Sequence, residues 1–245
     1  MREIRVYPLP SMAEQSFVEN GVAVVIDVLR ATSVVAFAMD SGVKEIVPVL
    51  DVDEAIRLKR EIETNSPGTV LLGGERKGLL IEGFDLGNSP QDYTPGKVAG
   101  KTLVFTTTNG TVAMHAARSA KEIYMACFLN AEAVVEKITM ENRIAVFCAG
   151  TCGVETEEDF LLAGRLVFRL CRNGTVLNSS AKKALKTWKD AGIASETMLA
   201  EVLRKSRGGR NLAGIGLDTD IEAAARWDSL SVTPRLDPVT MRIHS

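Results

Sequence analysis

Charged and hydroxyl side chains follow an apolar segment near the start of the chain. Asp27 comes directly after residues 22–26, which are all apolar, and an unpaired carboxylate is costly to bury there. Arg30 can pair with that carboxylate or bind an anion. Thr32 and Ser33 supply hydroxyl groups and a helix N-cap, and both are candidates for substrate binding. The loop therefore predicts a site with two catalytic candidates, Asp27 and Arg30. The alternative is an N-cap with a surface ion pair, which leaves Asp27 unexplained.

A second loop rich in hydroxyl groups follows the apolar segment 102–105. It consists of Thr106, Thr107, Thr108, Asn109, Gly110 and Thr111. Hydroxyl groups, an amide and the free N–H groups at a helix start suit phosphate or sulfonate. The loop is therefore predicted to bind substrate through residues 107–110. The alternative is a strand end followed by an Asn-Gly turn, because threonine also favours strands.

A glycine-rich stretch at residues 73–90 lies between these two loops. Glu75 and Arg76 present opposite charges at the end of an apolar segment, and Asn88-Ser89-Pro90 begins a turn. A long irregular connection of this kind is a binding loop or is disordered, and its apolar residues favour order. Glu75 is thus a third catalytic candidate, and Arg76, Asn88 and Ser89 are candidates for substrate binding. The stretch contains no G-x4-G-K-[ST] phosphate loop.

Two further features nearer the C-terminus could complete an anion or metal site. Acidic side chains lie at residues 155 and 157–159, at a predicted helix start. They favour the helix dipole, or alternatively Glu157 or Asp159 contributes a carboxylate to Mg²⁺, which prefers oxygen ligands. Arg210, in the predicted glycine turn at residues 207–211, is a candidate to bind an anion.

The elements that must position these loops follow one plan. Apolar segments at residues 22–26, 102–105 and 144–147 each precede a small-residue loop and a helix. In open α/β sheets, ligands bind where such loops converge, and continuously apolar strands are buried on both faces. We therefore expect a three-layer α/β/α fold with a largely parallel or mixed sheet. Helices are predicted at 181–189, 194–205 and 220–227, and an extended tail at 231–245.

The pattern of strand, helix, strand and helix occurs twice in the chain. Residues 44–49 and 121–126 both begin Lys-Glu-Ile and continue as a second apolar strand. We expect one α/β unit over residues 1–245, which a duplication would divide into sub-halves 1–98 and 99–245. The alternative is convergent patterning, because any βαβ protein shares part of this plan. An exposed apolar helix in the C-terminal third would support a homodimer.

Composition excludes several classes of function. The 245 residues are 46% hydrophobic and 24% charged with a net charge of −2, which argues against bulk nucleic-acid binding. No apolar run reaches the roughly 18 residues of a membrane span, and the first residues lack the apolar core of a signal peptide. We therefore expect a soluble, cytoplasmic protein with no membrane partner. With two histidines and no Cys-x2-Cys pair, a histidine-rich metal site, a closed zinc site and a Ser-His-Asp triad are disfavoured.

Taken together, the motif segments resemble the 2-phosphosulfolactate phosphatase family. They are residues 24–33 (VVIDVLRATS), 74–76 (GER), 87–90 (GNSP), 107–111 (TTNGT), 148–150 (CAG) and 206–212 (SRGGRNL). Each motif is weak alone, but their order and combination are specific and span about residues 20–235. The resemblance implies a Mg²⁺-dependent acid phosphatase. Its reaction converts (R)-2-phospho-3-sulfolactate and water to 3-sulfolactate and phosphate, a step of coenzyme M biosynthesis.

A mechanism consistent with the residues and with the resemblance needs a local positive pocket. Such a substrate carries roughly three to four negative charges, and Arg30, Arg76 and Arg210 are the candidate anion-binding side chains. Asp27 and Glu75, with Asp159 or Glu157, are expected to hold Mg²⁺. The loop at Asp27 lacks the D-x-D pattern of haloacid-dehalogenase-type phosphatases, which favours direct attack by water over a phosphoaspartate.

Two alternatives to this activity stay open. One is a phosphatase for another small phosphorylated hydroxy acid, and the other is a non-catalytic anion-binding module. A pure anion binder has no reason to place Asp27 and Glu75 at strand ends beside arginines, because their charges would repel the ligand unless a cation intervenes.

Overall fold

The computed structural model describes residues 1–245, which form one mixed sheet with helices packed around it. The strands are β1 (Glu3–Tyr7), β2 (Val22–Ile26), β3 (Glu45–Pro48), β4 (Val70–Arg76), β5 (Leu79–Leu80), β6 (Thr102–Thr106), β7 (Glu122–Ala126), β8 (Arg143–Cys148), β9 (Val176–Leu177), β10 (Arg235–Asp237) and β11 (Arg242–His244). The α-helices are α1 (Gln15–Val18), α2 (Ala31–Asp40), α3 (Val52–Asn65), α4 (Pro95–Val98), α5 (Gly110–Ala116), α6 (Ala131–Ile138), α7 (Glu157–Leu170), α8 (Ser179–Ala191), α9 (Glu196–Lys205), α10 (Arg207–Gly214) and α11 (Asp218–Ala224). Short 3₁₀ turns occur at Pro10–Met12, Pro90–Asp92 and Phe128–Asn130.

The sheet consists of two parallel sections joined by a hairpin. Its 11 strands run in the order β5-β4-β6-β3-β11-β10-β7-β2-β8-β1-β9. Strands β4, β6 and β3 are parallel to one another, as are β7, β2, β8, β1 and β9. Between these sections the β10–β11 hairpin pairs antiparallel with β7 on one side and with β3 on the other. The sheet is therefore mixed, with its antiparallel strands at the centre and at β5.

The two βαβα units of the sequence are interleaved in this sheet. Strand β2 of the first unit pairs with β7 of the second, and β3 of the first pairs with β6 of the second. The central strand order is β6-β3-β11-β10-β7-β2. Exchanging the corresponding strands of the two units, β2 with β6 and β3 with β7, and reading the order backwards gives the same order of these four strands again. Strands of residues 1–98 and of residues 99–245 are therefore mixed within the sheet and do not form two separate halves.

Loops from the two parallel sections of the sheet lie close together. The hairpin makes β3 and β7 nominally antiparallel. Five strand-to-strand steps separate β6 from β2, and at about 20–25° each they accumulate roughly 100–125° of twist. The loops after β2 and β6 meet, since a methyl group at Gly110 would lie 2.7 Å from Asp27 Oδ2.

Both faces of the sheet are covered by helices. Every residue of β2 is buried, and alternate side chains point to opposite faces. Val22, Val24 and Ile26 pack into a core that includes residues of α6 to α11, whereas Ala23 and Val25 pack into a second core with α2 and α5. A smaller core lies under α3. The predicted α/β/α architecture is confirmed.

In the C-terminal third of the chain, one predicted element is wrong and the others lie close to their predicted positions. Helices α8, α9 and α11 lie close to the predicted segments, and the extended tail forms the β10–β11 hairpin. The predicted glycine turn at residues 207–211 is wrong, because these residues open helix α10. Ser206 Oγ caps this helix by accepting a hydrogen bond from Gly209 N at 3.2 Å. Gly208 lies against Glu158, where a side chain would not fit.

None of the helices combines the length and the apolar character that a membrane crossing requires.

Candidate active site

A cavity of about 560 Å³ opens where the loops after β2, β4, β6 and β8 meet helix α10. Seven of the residues predicted from the sequence line this cavity: Asp27, Arg30, Glu75, Asn88, Thr108, Asn109 and Arg210. They come from five separate chain segments. The convergence of βα loops at strand ends therefore brings together the residues that the sequence patterns singled out.

Asp27 lies at the floor of the cavity. Its side chain is 8% exposed, and Oδ1 accepts a hydrogen bond from Ala31 N at 3.2 Å. Burial, with smaller contributions from the charges of Glu75 and Glu158, raises the pKa of Asp27 to about 7. The hydrogen bond from Ala31 N opposes this rise without cancelling it. A carboxyl group in this environment needs a compensating cation to be fully ionised at neutral pH.

Glu75 joins two walls of the cavity through its carboxylate. Oε1 accepts a hydrogen bond from Thr108 N at 2.7 Å, and Oε2 accepts one from Gly78 N at 2.7 Å. The first bond holds the loop after β6, and the second closes the turn between β4 and β5. Each carboxylate oxygen has two lone pairs, so both oxygens keep one acceptor site.

Arg30 is paired with Asp220 and not with Asp27. Its Nη1 donates to Asp220 Oδ2 at 2.6 Å, and its Nη2 donates to Gly78 O at 2.7 Å. Arg30 nevertheless lines the cavity. Of the two roles considered for Arg30 from the sequence, contact with a bound anion is therefore the one that this geometry favours.

Three predicted hydroxyl groups bond to their own loops. Thr32 Oγ1 donates to Asp27 O at 2.9 Å, and Ser33 Oγ donates to Val28 O at 2.8 Å. Thr107 Oγ1 accepts from Thr111 N at 3.1 Å. All three side chains are buried and none lines the cavity. They shape the loops that carry the cavity residues.

Other predicted polar residues lie at the cavity or directly beside it. Thr108 and Asn109 line it, and Asn109 Oδ1 accepts a hydrogen bond from Cys152 N at 2.9 Å. Asn88 is buried, and its Oδ1 has no hydrogen-bond partner. Ser89 donates to Asp220 Oδ1 at 2.5 Å. Gly110 packs so closely against Asp27 and Ala31 that it leaves no room for a side chain.

The two remaining arginines have different positions. Arg210 lines the cavity, and its Nη1 donates to Lys205 O. Arg76 points away from the cavity, because Nη1 donates to Glu75 O at 2.8 Å and Nη2 donates to Thr106 Oγ1 at 2.9 Å. Side chains alternate along a strand, so the neighbours Glu75 and Arg76 cannot both face the cavity.

The acids at the start of α7 have three different environments. Asp159 is buried, with Oδ1 accepting from Val28 N at 2.8 Å and Oδ2 accepting from Gly150 N and Thr156 Oγ1, both at 3.0 Å. Glu157 Oε2 accepts from Arg207 N at 2.8 Å. Glu158 is only 3% exposed, and its Oε2 has no partner. Burial raises the pKa of Glu158, and it raises that of Asp159 further with the help of Asp27.

The donor set of the cavity fits a hard divalent cation that retains water ligands. No three acidic, histidine or cysteine side chains are grouped closely enough to hold a metal ion by themselves. Mg²⁺ commonly uses one or two carboxylates, with waters and substrate phosphate completing its coordination. Asp27 and Glu158 are buried, mutually repelling acids, while the charge of Arg30 is engaged by Asp220. A cation beside Asp27 would relieve this imbalance.

Several residues of the site were not predicted from the sequence. Lys77, Thr151 and Asn211 line the cavity, and Asp220 and Glu158 lie behind it. Lys77 lies in the glycine-rich stretch at residues 73–90, but the prediction for that stretch named its neighbours Glu75 and Arg76. Glu158 was one of several adjacent acids with no feature to distinguish it. Asp220 and Arg30 are 190 residues apart in the sequence, so no local sequence pattern indicates that they pair.

Comparisons with known proteins agree with the resemblance noted in the sequence. A family model described as 2-phosphosulpholactate phosphatase matches residues 7–238. A protein of Thermotoga petrophila named probable 2-phosphosulfolactate phosphatase is 40% identical over 225 residues, covering 92% of this chain and 93% of that protein. Proteins with the same name from Thermotoga maritima and Caldanaerobacter subterraneus are 41% and 40% identical, and cover 92% and 87% of this chain and 93% and 86% of their own lengths.

Proposed function

The chain belongs to the 2-phosphosulpholactate phosphatase family, and we propose that it hydrolyses (R)-2-phospho-3-sulfolactate to 3-sulfolactate and phosphate. The observation that carries this proposal is the joint presence of Asp27, Glu75, Arg30 and Arg210 around one cavity. Carboxylates and guanidinium groups in one cavity suit a phosphoester bound together with a cation. As part of the same proposal, the reaction serves coenzyme M biosynthesis, a role inferred from the family resemblance alone.

We further propose that Mg²⁺ is held by Asp27, with Glu75 and Glu158 as the nearby carboxylates. Asp27 lines the cavity, and burial raises its pKa to about 7. Bound Mg²⁺ would neutralise charge on the phosphoryl oxygens and orient water for an in-line displacement. Asp159 stabilises the loop in this proposal, because Val28 N, Gly150 N and Thr156 Oγ1 already occupy its carboxylate.

The positive side chains of the cavity bind the anionic groups of the substrate. Arg30, Arg210 and Lys77 line the cavity of a protein whose net charge is −2. Together with Mg²⁺ at Asp27, these side chains would attract a substrate with roughly three to four negative charges. The two arginines match phosphate or sulfonate with parallel N–H groups. Thr108 and Asn109 add neutral polar groups to the lining of the cavity.

Water attacks the phosphorus directly in this proposal, without a phosphoaspartate at residue 27. The sequence from Asp27 to Arg30 has no second aspartate two residues on. Positioning and charge stabilisation account for most of phosphoryl transfer, so the absence of a cavity histidine is no obstacle. Hydride reduction of an acid-quenched reaction would convert an aspartyl phosphate to homoserine. Homoserine found at position 27 by mass spectrometry would contradict direct attack.

The activity is tested by measuring phosphate release from matched phosphoesters. We expect kcat/KM for 2-phosphosulfolactate to exceed that for 2-phospholactate by at least about tenfold, because one charge-assisted contact is worth about that factor. Activity should require Mg²⁺ and be lost with a chelator. Equal turnover of the two esters would indicate a phosphatase for phosphorylated hydroxy acids in general. Phosphate binding without any turnover would indicate an anion-binding module.

A further inference from the structure

A buried ion pair lies directly behind the cavity wall. Arg30 Nη1 and Asp220 Oδ2 are 2.6 Å apart, and their side chains are 3% and 0% exposed. A buried guanidinium or carboxylate that loses its partner is strongly unfavourable. Each of these side chains therefore fixes the other.

Further hydrogen bonds join this pair to two more segments of the chain. Asp220 Oδ1 accepts from Ser89 Oγ at 2.5 Å, and Arg30 Nη2 donates to Gly78 O at 2.7 Å. The loop after β2, the turn between β4 and β5, the turn after Gly87 and helix α11 consequently meet at one point. Arg30 and Gly78 line the cavity, whereas Asp220 does not.

The arrangement leaves Arg30 with donors for a ligand. A guanidinium has five N–H donors, and the ion pair and the Gly78 carbonyl each engage one of its nitrogens. Its plane is set by two acceptors on different segments. A fixed guanidinium loses less conformational entropy when it binds an oxyanion than a free one does. Asp220, which does not line the cavity, is the charged partner that holds this orientation.

We propose that Asp220 is a positioning residue that orients Arg30 for binding an oxyanion of the substrate. The inference deepens the proposed function and rests on it only for the identity of the substrate. Ser89 acts in the same arrangement by holding the second carboxylate oxygen of Asp220.

The test is a double-mutant cycle read by isothermal titration with inorganic phosphate in the presence of Mg²⁺. Asp220→Asn keeps the shape of the side chain and removes its charge. We expect it to weaken phosphate binding about ten- to a hundredfold in the wild-type protein, because a charge-assisted contact is lost or misaligned. In an Arg30→Gln background the same change should alter the affinity by less than about threefold. An equal effect in both backgrounds, or none in the wild type, would overturn the proposal.

A matched control is the ion pair of Arg165 and Asp228, which also contains a buried arginine but lies away from the cavity. Asp228→Asn should leave phosphate affinity within about twofold of wild type. If it weakens binding as much as Asp220→Asn does, the effect is general destabilisation and the proposal fails.

Ser89→Ala provides a second variant if Asp220→Asn does not fold. It removes one neutral donor to Asp220, and we expect phosphate binding about three- to tenfold weaker, again only when Arg30 is present. Unchanged phosphate affinity in this variant would overturn the inference.

The phosphate titration does not depend on turnover. If 2-phosphosulfolactate is not hydrolysed while the cycle shows coupling, the proposed function fails and the role of Asp220 stands. If the wild-type protein binds no phosphate, the role of Asp220 is overturned.

Discussion

Asp159 Oδ1 accepts a hydrogen bond from Val28 N at 2.8 Å, so a residue of helix α7 holds the loop that carries Asp27. The other oxygen of Asp159 holds Gly150 N at 3.0 Å, which belongs to the loop after β8. One buried carboxylate thus ties together the loops after two adjacent strands.

Asp159→Asn should destabilise the fold more than it weakens metal binding. The amide nitrogen would face a backbone N–H, and the loss of one or two buried hydrogen bonds costs about 1–3 kcal/mol. We expect a lower denaturation midpoint in urea and a retained increase in Tm on addition of Mg²⁺. Loss of the Mg²⁺-dependent increase at unchanged stability would instead identify Asp159 as a metal ligand, as the sequence suggested.

Asp27→Asn should abolish phosphatase activity and also the Mg²⁺-dependent increase in Tm. A ligand that binds only the folded state raises Tm, and this variant removes the carboxylate that we assign to the ion. The check is a thermal melt with and without Mg²⁺, with Mg²⁺ affinity measured by titration. An undiminished shift in the variant would exclude Asp27 as a ligand.

The same variant should change how the stability of the metal-free protein depends on pH. The pKa of Asp27 is about 7 in the folded state against 3.8 for an ordinary aspartate. Between these values the folded state binds more protons, so the free energy of unfolding falls as pH rises from about 4 through about 7. The amide in Asp27→Asn does not titrate, so the variant lacks this fall in the free energy of unfolding. We therefore expect it to be more stable than the metal-free wild type at pH 8. Urea denaturation at pH 5 and pH 8 with a chelator present measures the effect, and an equal difference at both pH values would contradict it.

Gly110→Ala should lower kcat/KM strongly because its methyl group has no space. That methyl would lie 2.4 Å from Ala31 Cβ and 2.7 Å from Asp27 Oδ2, so the loop after β2 must shift. A displacement of about 1 Å at a catalytic group can cost about a hundredfold in rate. Gly96→Ala is the matched control, because a methyl there meets nothing within 4 Å and should leave the rate unchanged. Similar activity in both variants would show that the contact of Gly110 with Asp27 is unimportant.

Arg210→Ala and Arg76→Ala should have different effects, although the sequence suggested the same role for both. Arg210 lines the cavity, and its loss should raise KM about tenfold. Arg76 bonds to Glu75 O and Thr106 Oγ1, so its loss should lower Tm while KM stays within about threefold. Steady-state kinetics and thermal melts of both variants separate the two effects. A larger KM effect in Arg76→Ala would place the anion on the other face of β4.

The sequence predicts the parts of the site that depend on local pattern. Near-continuous apolar residues in β2 and β6 imply buried parallel strands, and the loops at the C-terminal ends of such strands are where ligands bind. Asp27, Glu75 and Asn109 follow from this reasoning, and all three line the cavity. The helix N-cap predicted from Thr32 and Ser33 is wrong, because the N-cap of α2 is Arg30 and the two hydroxyl groups donate to Asp27 O and Val28 O in the preceding loop.

The remaining features depend on contacts between distant segments. The pairing of Arg30 with Asp220 brings α11 to the first loop, and nothing near either residue indicates the other. Gly208 and Gly209 indicate a turn by their conformational freedom, yet here they allow α10 to pack against Glu158 and Leu203. Glu75 faces the cavity and Arg76 does not, because neighbouring side chains on a strand point to opposite faces. Which of the two faces the cavity depends on the register of β4, and only the assembled sheet defines that register.

The β10–β11 hairpin has a consequence for how the protein is made. Residues 235–244 follow every other strand in the chain, yet they supply the hydrogen bonds that connect the two parallel sections of the sheet. A ribosome releases this hairpin after both sections have been synthesised, and pairing between residues so far apart is slow to form. The exposed edges of β3 and β7 are open to pairing with other chains until then. We therefore expect the enzyme to gain its activity after synthesis of the hairpin, and nascent chains that lack it to depend on chaperones.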